Sequence, residues 1–191
     1  MVHVTQENVS MVDVDLLVSE CIKANRGEKA FAYLVSPFIS DFRIPASLVK
    51  FASNLINVGD VEYMSDLIGL LAHYGGRIYV ITRSPQDLKE TTISQSFVGK
   101  QLKLLLKLKE LKCEIHSCPK LHAKATVTSQ GAVSGSFNLT ESGRFFNLEE
   151  GHFFPNVEES QKQYADILAW VQELFSNQST QMTDRDLHIN L

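Results

Sequence analysis

His122 and Lys124 stand two residues apart, and Ser136 and Asn138 stand two apart a short distance downstream. In a strand, residues at that spacing point to the same face. A turn at Gln130-Gly131 would fold the two segments into a hairpin and gather an imidazole, an ammonium, a hydroxyl and a carboxamide into one pocket. The imidazole is a nucleophile or proton carrier, and the other three are donors suited to phosphate oxygens. The chemistry these types suit is the binding and attack of a phosphoryl group.

The elements needed to position such a pocket are legible on either side. Residues 9–24 read as an amphipathic helix with Val12, Leu16 and Cys21 on its apolar side, ended by Asn25-Arg26-Gly27. The apolar runs 30–35 and 78–82 read as buried strands, closed by Ser36-Pro37 and Arg83-Ser84-Pro85. Segments 46–57 and 61–74 are helix-like, the second stopping at Gly75-Gly76. A long helix is expected over 95–111, then strands near 112–117, 121–128, 131–135 and 150–155, and a helix over 157–175. This order predicts an α/β fold, a mixed β-sheet flanked by helices on both faces. One domain over 1–176 is expected, with 177–191 a polar, mobile C-terminal tail.

Composition sets bounds. The 191 residues are 44% hydrophobic and 21% charged, as in ordinary globular proteins. No apolar run approaches the ~20 residues of a membrane span. The N-terminal residues lack signal-peptide character, which predicts a cytoplasmic protein away from membranes. Cys21, Cys113 and Cys118 do not suggest a disulfide framework. The net charge of −4 means that any nucleic-acid contact must rest on locally concentrated positive charge.

With His122-Ala-Lys124 and Gly135-Ser136-Phe137-Asn138, the chain resembles the phospholipase D superfamily, whose motif is written H-x-K-x4-D-x6-G-S-x-N. Phe146-Asn147-Leu148-Glu149-Glu150-Gly151 is similar to the family's N-x-E-x-G segment. Leu34 to Phe38 and Val80 to Arg83 are similar to two strand ends that precede the motif. Ser129 stands where the motif has Asp, and the spacer to Gly135 is one residue short, which a tighter hairpin turn would absorb.

The resemblance implies a phospholipase D-like fold and two-step phosphodiester cleavage without metal or other cofactor. One His forms a phosphohistidine, and a second protonates the leaving oxygen and then activates water. On this pattern His122 is the catalytic imidazole, with Lys124, Ser136 and Asn138 on phosphate and Glu149 orienting His122. Arg83, at a strand end, is a further phosphate-contact candidate, as is Arg144 in the loop before Glu149. Such chemistry needs two His motifs, and His3, His73, His116, His152 and His188 all lack H-x-K spacing. A homodimer with its site on the two-fold axis supplies the second. Small single-motif members are built this way and are typically nucleases. Family analogy thus points to an endonuclease on DNA in preference to RNA, in a restriction or phage-defence setting and within a larger defence complex.

Other readings compete. A lipid-acting phospholipase or phosphatidyl transferase would favour two motifs in a longer chain. A catalytically impaired nucleic-acid-binding or scaffold subunit would keep the pocket and only hold phosphate. Cys113, His116, Cys118 and His122 form a C-x2-H-x-C-x3-H run, but a strand puts Cys113 opposite His116 and Cys118, against a zinc site. Lys100, Lys103 and Lys107 suit either a phosphate-tracking stripe or a solvated helix face. Trp170 and Phe175 read as core.

Overall fold

The computed structural model describes residues 2–4, 6–54, 56–57, 59–145 and 149–187, with only the backbone described for 2–4, 6–11, 49, 51, 52, 144 and 145. Eight strands form one mixed sheet: β1 (Val2–Val4), β2 (Phe31–Val35), β3 (Arg77–Thr82), β4 (Glu114–Ser117), β5 (Ala125–Thr128), β6 (Gly131–Gly135), β7 (Gly151–Pro155) and β8 (Thr180–Gln181). Their order is β1-β7-β6-β5-β2-β3-β4-β8. β2, β3 and β4 pair in parallel, and every other neighbouring pair is antiparallel.

Strand alternation divides the core. Ala32, Leu34, Ile78 and Val80 face one side, where they pack on α1 (Gln6–Asn25), α3 (Met64–His73) and α5 (Gln95–Glu110). Tyr33, Val35, Ile81 and Val127 face the other, packing on Tyr164 and Val171 of α7 (Gln161–Glu173). Helices therefore flank the sheet on both faces. α2 (Ala46–Ser53), α4 (Pro85–Lys89), α6 (Glu141–Phe145) and α8 (Asp184–Leu187) are shorter.

The helix ends follow local rules. α1 stops at Gly27, whose φ of 76° is the left-handed geometry that suits glycine. α4 begins with a capping box in which Ser84 Oγ accepts from Asp87 N–H, with Pro85 at its first position. α5 buries Val98, Gln101, Leu104, Leu105 and Leu108 and leaves Lys100, Lys103 and Lys107 exposed.

Four expectations are corrected. Strand β5 begins at Ala125, so His122 and Lys124 lie on the segment entering it, outside the strand. This segment is held by longer-range bonds described below. The tail expected from Asn177 contains β8, which extends the sheet beside β4, and α8; Met182 and Leu187 are buried in the main core. Met182 and Leu187 are the buried apolar anchors of this polar stretch. α1 also starts earlier than expected, behind a short β1 on β7. Trp170, expected in the core, is 37% exposed.

Candidate active site

β2, β3 and β6 end, and β7 and the β5 entry begin, at one end of the sheet. The candidate residues collect there because the antiparallel β5-β6-β7 meander returns each connection to that end. Gly135 N–H reaches the Lys124 carbonyl at 3.4 Å, just past the last β5–β6 pair. Lys124 and Ser136 are thus brought to the same end even though regular β5 has not started.

Ser136 is held on both sides. Its backbone N–H donates to the Glu150 carbonyl at 2.9 Å, and its Oγ accepts from Glu150 N–H at 3.1 Å. Its hydroxyl donates to the Glu149 carboxylate in a short hydrogen bond. In this structure Glu149 is engaged with Ser136. Asn138 is set by Ser36, whose Oγ lies 3.4 Å from Asn138 Oδ1, donates to the Phe38 carbonyl at 2.6 Å and accepts from Leu139 N–H at 3.1 Å. Ser36 is fully buried at the end of β2, so this arrangement couples β2 to the motif.

The glycines of the motif have a steric reason. A Cβ on Gly135 would lie 2.3 Å from the Glu150 carbonyl oxygen and 2.6 Å from Phe137 Cε1. A Cβ on Gly151 would also meet Phe137 Cε1 at 2.6 Å. The Phe137 ring, 2% exposed, sits between two backbones that only glycine lets approach. Gly135-Ser136-Phe137-Asn138 is therefore a packing unit as well as a set of polar groups.

Arg83 and the His122 segment are joined. Arg83 Nε donates to the Leu121 carbonyl at 3.0 Å, and its guanidinium lies over Phe38 at 5.6 Å from the ring centre. Leu121 N–H also donates to the Cys118 carbonyl. The next residue, His122, is exposed to solvent. Burial holds the Lys124 ammonium below its ordinary pKa, with the Glu149 carboxylate raising it and Arg83 lowering it further. The charges of both Glu149 and Arg83 thus act on the Lys124 ammonium. Arg83, Lys124, Ser136, Asn138 and Glu149 thus share the sheet end at which His122 is exposed. Asn147 lies outside the described residues, and Arg144 is described in its backbone alone.

Two supporting residues escaped the sequence reading. Gln101 is fully buried on α5, where its Oε1 accepts from Ile39 N–H at 2.9 Å and its Nε2 donates to the Arg83 carbonyl at 2.8 Å. It clamps together the loops that leave β2 and β3. Glu20 is fully buried on α1 and accepts from Phe31 N–H, Ser129 N–H and Ser129 Oγ at 3.0, 2.9 and 2.6 Å. Each is a polar residue inside a largely apolar helical stripe, and that irregularity is the signal that could have marked it.

The cysteine-histidine run is split across the sheet. Cys113 belongs to the α1–α3–α5 core and Cys118 to the α7 core, while the His116 ring stacks on Phe175 at 3.9 Å. Burial pushes the Cys113 thiol up to about 12, away from the thiolate a metal needs. Among the described residues no three His, Cys, Asp or Glu side chains cluster as metal ligands, and no helix is long and apolar enough to cross a membrane.

Against known structures the architecture has clear counterparts. A phospholipase D family member, Nuc from Salmonella typhimurium, superposes with a TM-score of 0.57 at 12% identity, over 88% of this chain and 90% of that one. The chain has a phospholipase D-like fold. NucT from Helicobacter pylori is similar with a TM-score of 0.56 at 9% identity, over 95% of this chain and 98% of that one. Polyphosphate kinase from Porphyromonas gingivalis gives 0.56 at 7% identity over 96% of this chain, which spans 24% of that enzyme. No protein-family model and no curated protein sequence matches the chain. The phospholipase D-like likeness is therefore one of fold, joined to the local motif.

Proposed function

We propose that the protein is a metal-independent phosphodiesterase, an endonuclease that cleaves DNA in a homodimeric site. The observation that carries this reading is the convergence of Arg83, Lys124, Ser136, Asn138 and Glu149 on the sheet end where His122 is exposed. In the proposed reaction the His122 imidazole attacks phosphorus and the P–O bond to the leaving group breaks. The partner subunit's His122 protonates the departing oxygen. That same imidazole then takes a proton from water, whose oxygen attacks the phosphohistidine and releases His122. Lys124 and Arg83 counter charge on the phosphoryl oxygens, and Ser136 and Asn138 donate hydrogen bonds to them. Glu149 leaves Ser136 for the far nitrogen of His122 when phosphate binds, which fixes the tautomer.

The likeness to Nuc and NucT over nearly their whole length supports the fold that such a site requires. The choice of DNA, and a role in restriction or phage defence within a larger complex, rest on family analogy. The deciding measurement is incubation of the wild type and His122→Ala with plasmid, single-stranded DNA and RNA in EDTA. Cleavage of DNA by the wild type, lost by at least about 10³-fold in the variant, is the expected outcome. Intact substrates with equal binding by both proteins would instead establish a phosphate-holding scaffold, and cleavage confined to RNA would correct the substrate.

A further inference from the structure

A second feature adjoins the site on the α5 side. Ser40, Asp41, Tyr63, Phe97, Leu104, Thr140 and Glu141, with Lys100, Lys103 and Lys107, enclose a groove of about 580 Å³. It is continuous with the site in two ways. Ile39 and Leu139 form a parallel bridge, and Ser40 N–H donates to the Leu139 carbonyl at 2.9 Å, so one wall begins next to Asn138. Phe97 packs edge-on against Phe38 at 5.9 Å, and Phe38 lies under Arg83.

The groove's charges are not equivalent. Lys107 donates to Asp66 and to Ser65 Oγ, both at 2.7 Å, and Asp41 accepts from Ser65 N–H and Oγ. Those groups are satisfied within the protein. Lys100 and Lys103, one turn apart on α5, are exposed and engage no carboxylate among the described residues. Tyr63 is 41% exposed at the same groove, a large aromatic residue partly open to solvent. A merely solvated helix face explains the lysines. It does not explain their position beside an exposed ring in a groove that leads to a phosphate-binding site.

We infer that this groove binds the single strand that flanks the scissile phosphate, with Lys100 and Lys103 on backbone phosphates and Tyr63 stacking on an unpaired base. The inference rests on the proposed phosphodiesterase reading and adds its substrate form. Cations tracking the backbone beside an aromatic platform fit any base sequence, because every base offers a π face. Duplex DNA keeps its bases paired and would leave Tyr63 unused. The −4 net charge of the chain is compatible with this, since the attraction is local.

The test is binding of a fluorescent oligothymidylate and of a duplex of equal length, in EDTA, by the wild type, Lys100→Ala/Lys103→Ala and Tyr63→Ala. The wild type should prefer the single strand. The double variant should lose about 1.4 from the slope of log affinity against log salt, 0.7 for each single-strand phosphate contact removed. Tyr63→Ala should weaken the single strand about tenfold and leave the duplex unchanged. Both variants should hydrolyse bis(p-nitrophenyl) phosphate at the wild-type rate, since that substrate is too small to reach the groove. Equal binding of single strand and duplex, or an unchanged salt slope in the double variant, would overturn the inference. If the wild type binds the single strand as predicted but hydrolyses nothing, the groove stands and the catalytic reading falls.

Discussion

Lys124 takes its character from three neighbours: the apolar surroundings that partly bury it, the Glu149 carboxylate and the Arg83 guanidinium. In the proposed site phosphate binding needs the ammonium form, so binding should be lost as pH rises through the lowered pKa of Lys124. Removing the Arg83 charge raises that pKa and must move the alkaline loss of binding to higher pH. Removing the Glu149 charge lowers it and must move the loss to lower pH. The alkaline midpoint of 1/KM in Arg83→Gln and Glu149→Gln should therefore shift in opposite directions. Shifts of the same sign would mean that Lys124 is not the titrating group. At this scale the motif was readable because residue type and spacing carry the chemistry. Ser36 was not, since its part depends on a hydroxyl just past β2 meeting a carboxamide 102 positions away in the chain.

At the scale of elements, Ser129 is explained by α1. It stands where the resemblance puts an Asp, yet it sits beyond the far end of β5, roughly 16 Å along the strand from Lys124. There Glu20 already supplies a buried carboxylate, which ties α1 to β2 and to the β5–β6 turn, and Lys23 Nζ donates to Ser129 Oγ at 2.8 Å. Ser129→Asp would press a second carboxylate against Glu20. It should lower stability by on the order of 2 kcal/mol, read by urea denaturation, without raising activity. A more stable or more active Ser129→Asp protein would refute this account. The apolar runs of β2 and β3 were legible because helices cover both faces of those strands, and the stripe of α5 because one side of that helix is buried along its length. The start of β5 was not, because residues 121–124 are held by bonds to Arg83, Cys118 and Gly135 and belong to no ladder pair.

For the molecule as a whole, the proposed two-histidine reaction, with one H-x-K motif in this sequence, calls for a site shared between two chains. A shared site has a distinctive signature. When wild type and His122→Ala subunits exchange freely, a dimer with one wild-type His122 lacks either its nucleophile or its acid. Activity should then fall as the square of the wild-type fraction, with the active species sedimenting at twice 21.4 kDa. A linear fall would show that each chain works alone.

Local periodicity determined, from sequence, the α/β class and the order of most elements, and residue type and spacing marked His122, Lys124, Ser136 and Asn138 as candidates for phosphate chemistry, with Glu149 added by the family resemblance. These depend on neighbours a few positions away, or on types that do similar chemistry in many settings. Tertiary structure decided which polar groups share a bond and which merely share a sheet end. It placed Gln101 between two loops, Glu20 against Ser129, Phe137 between Gly135 and Gly151, and a lysine-lined groove beside Asn138. The physical reason is that a buried polar group must find its partner wherever the packed chain brings one, and that partner's distance along the sequence carries no local signal.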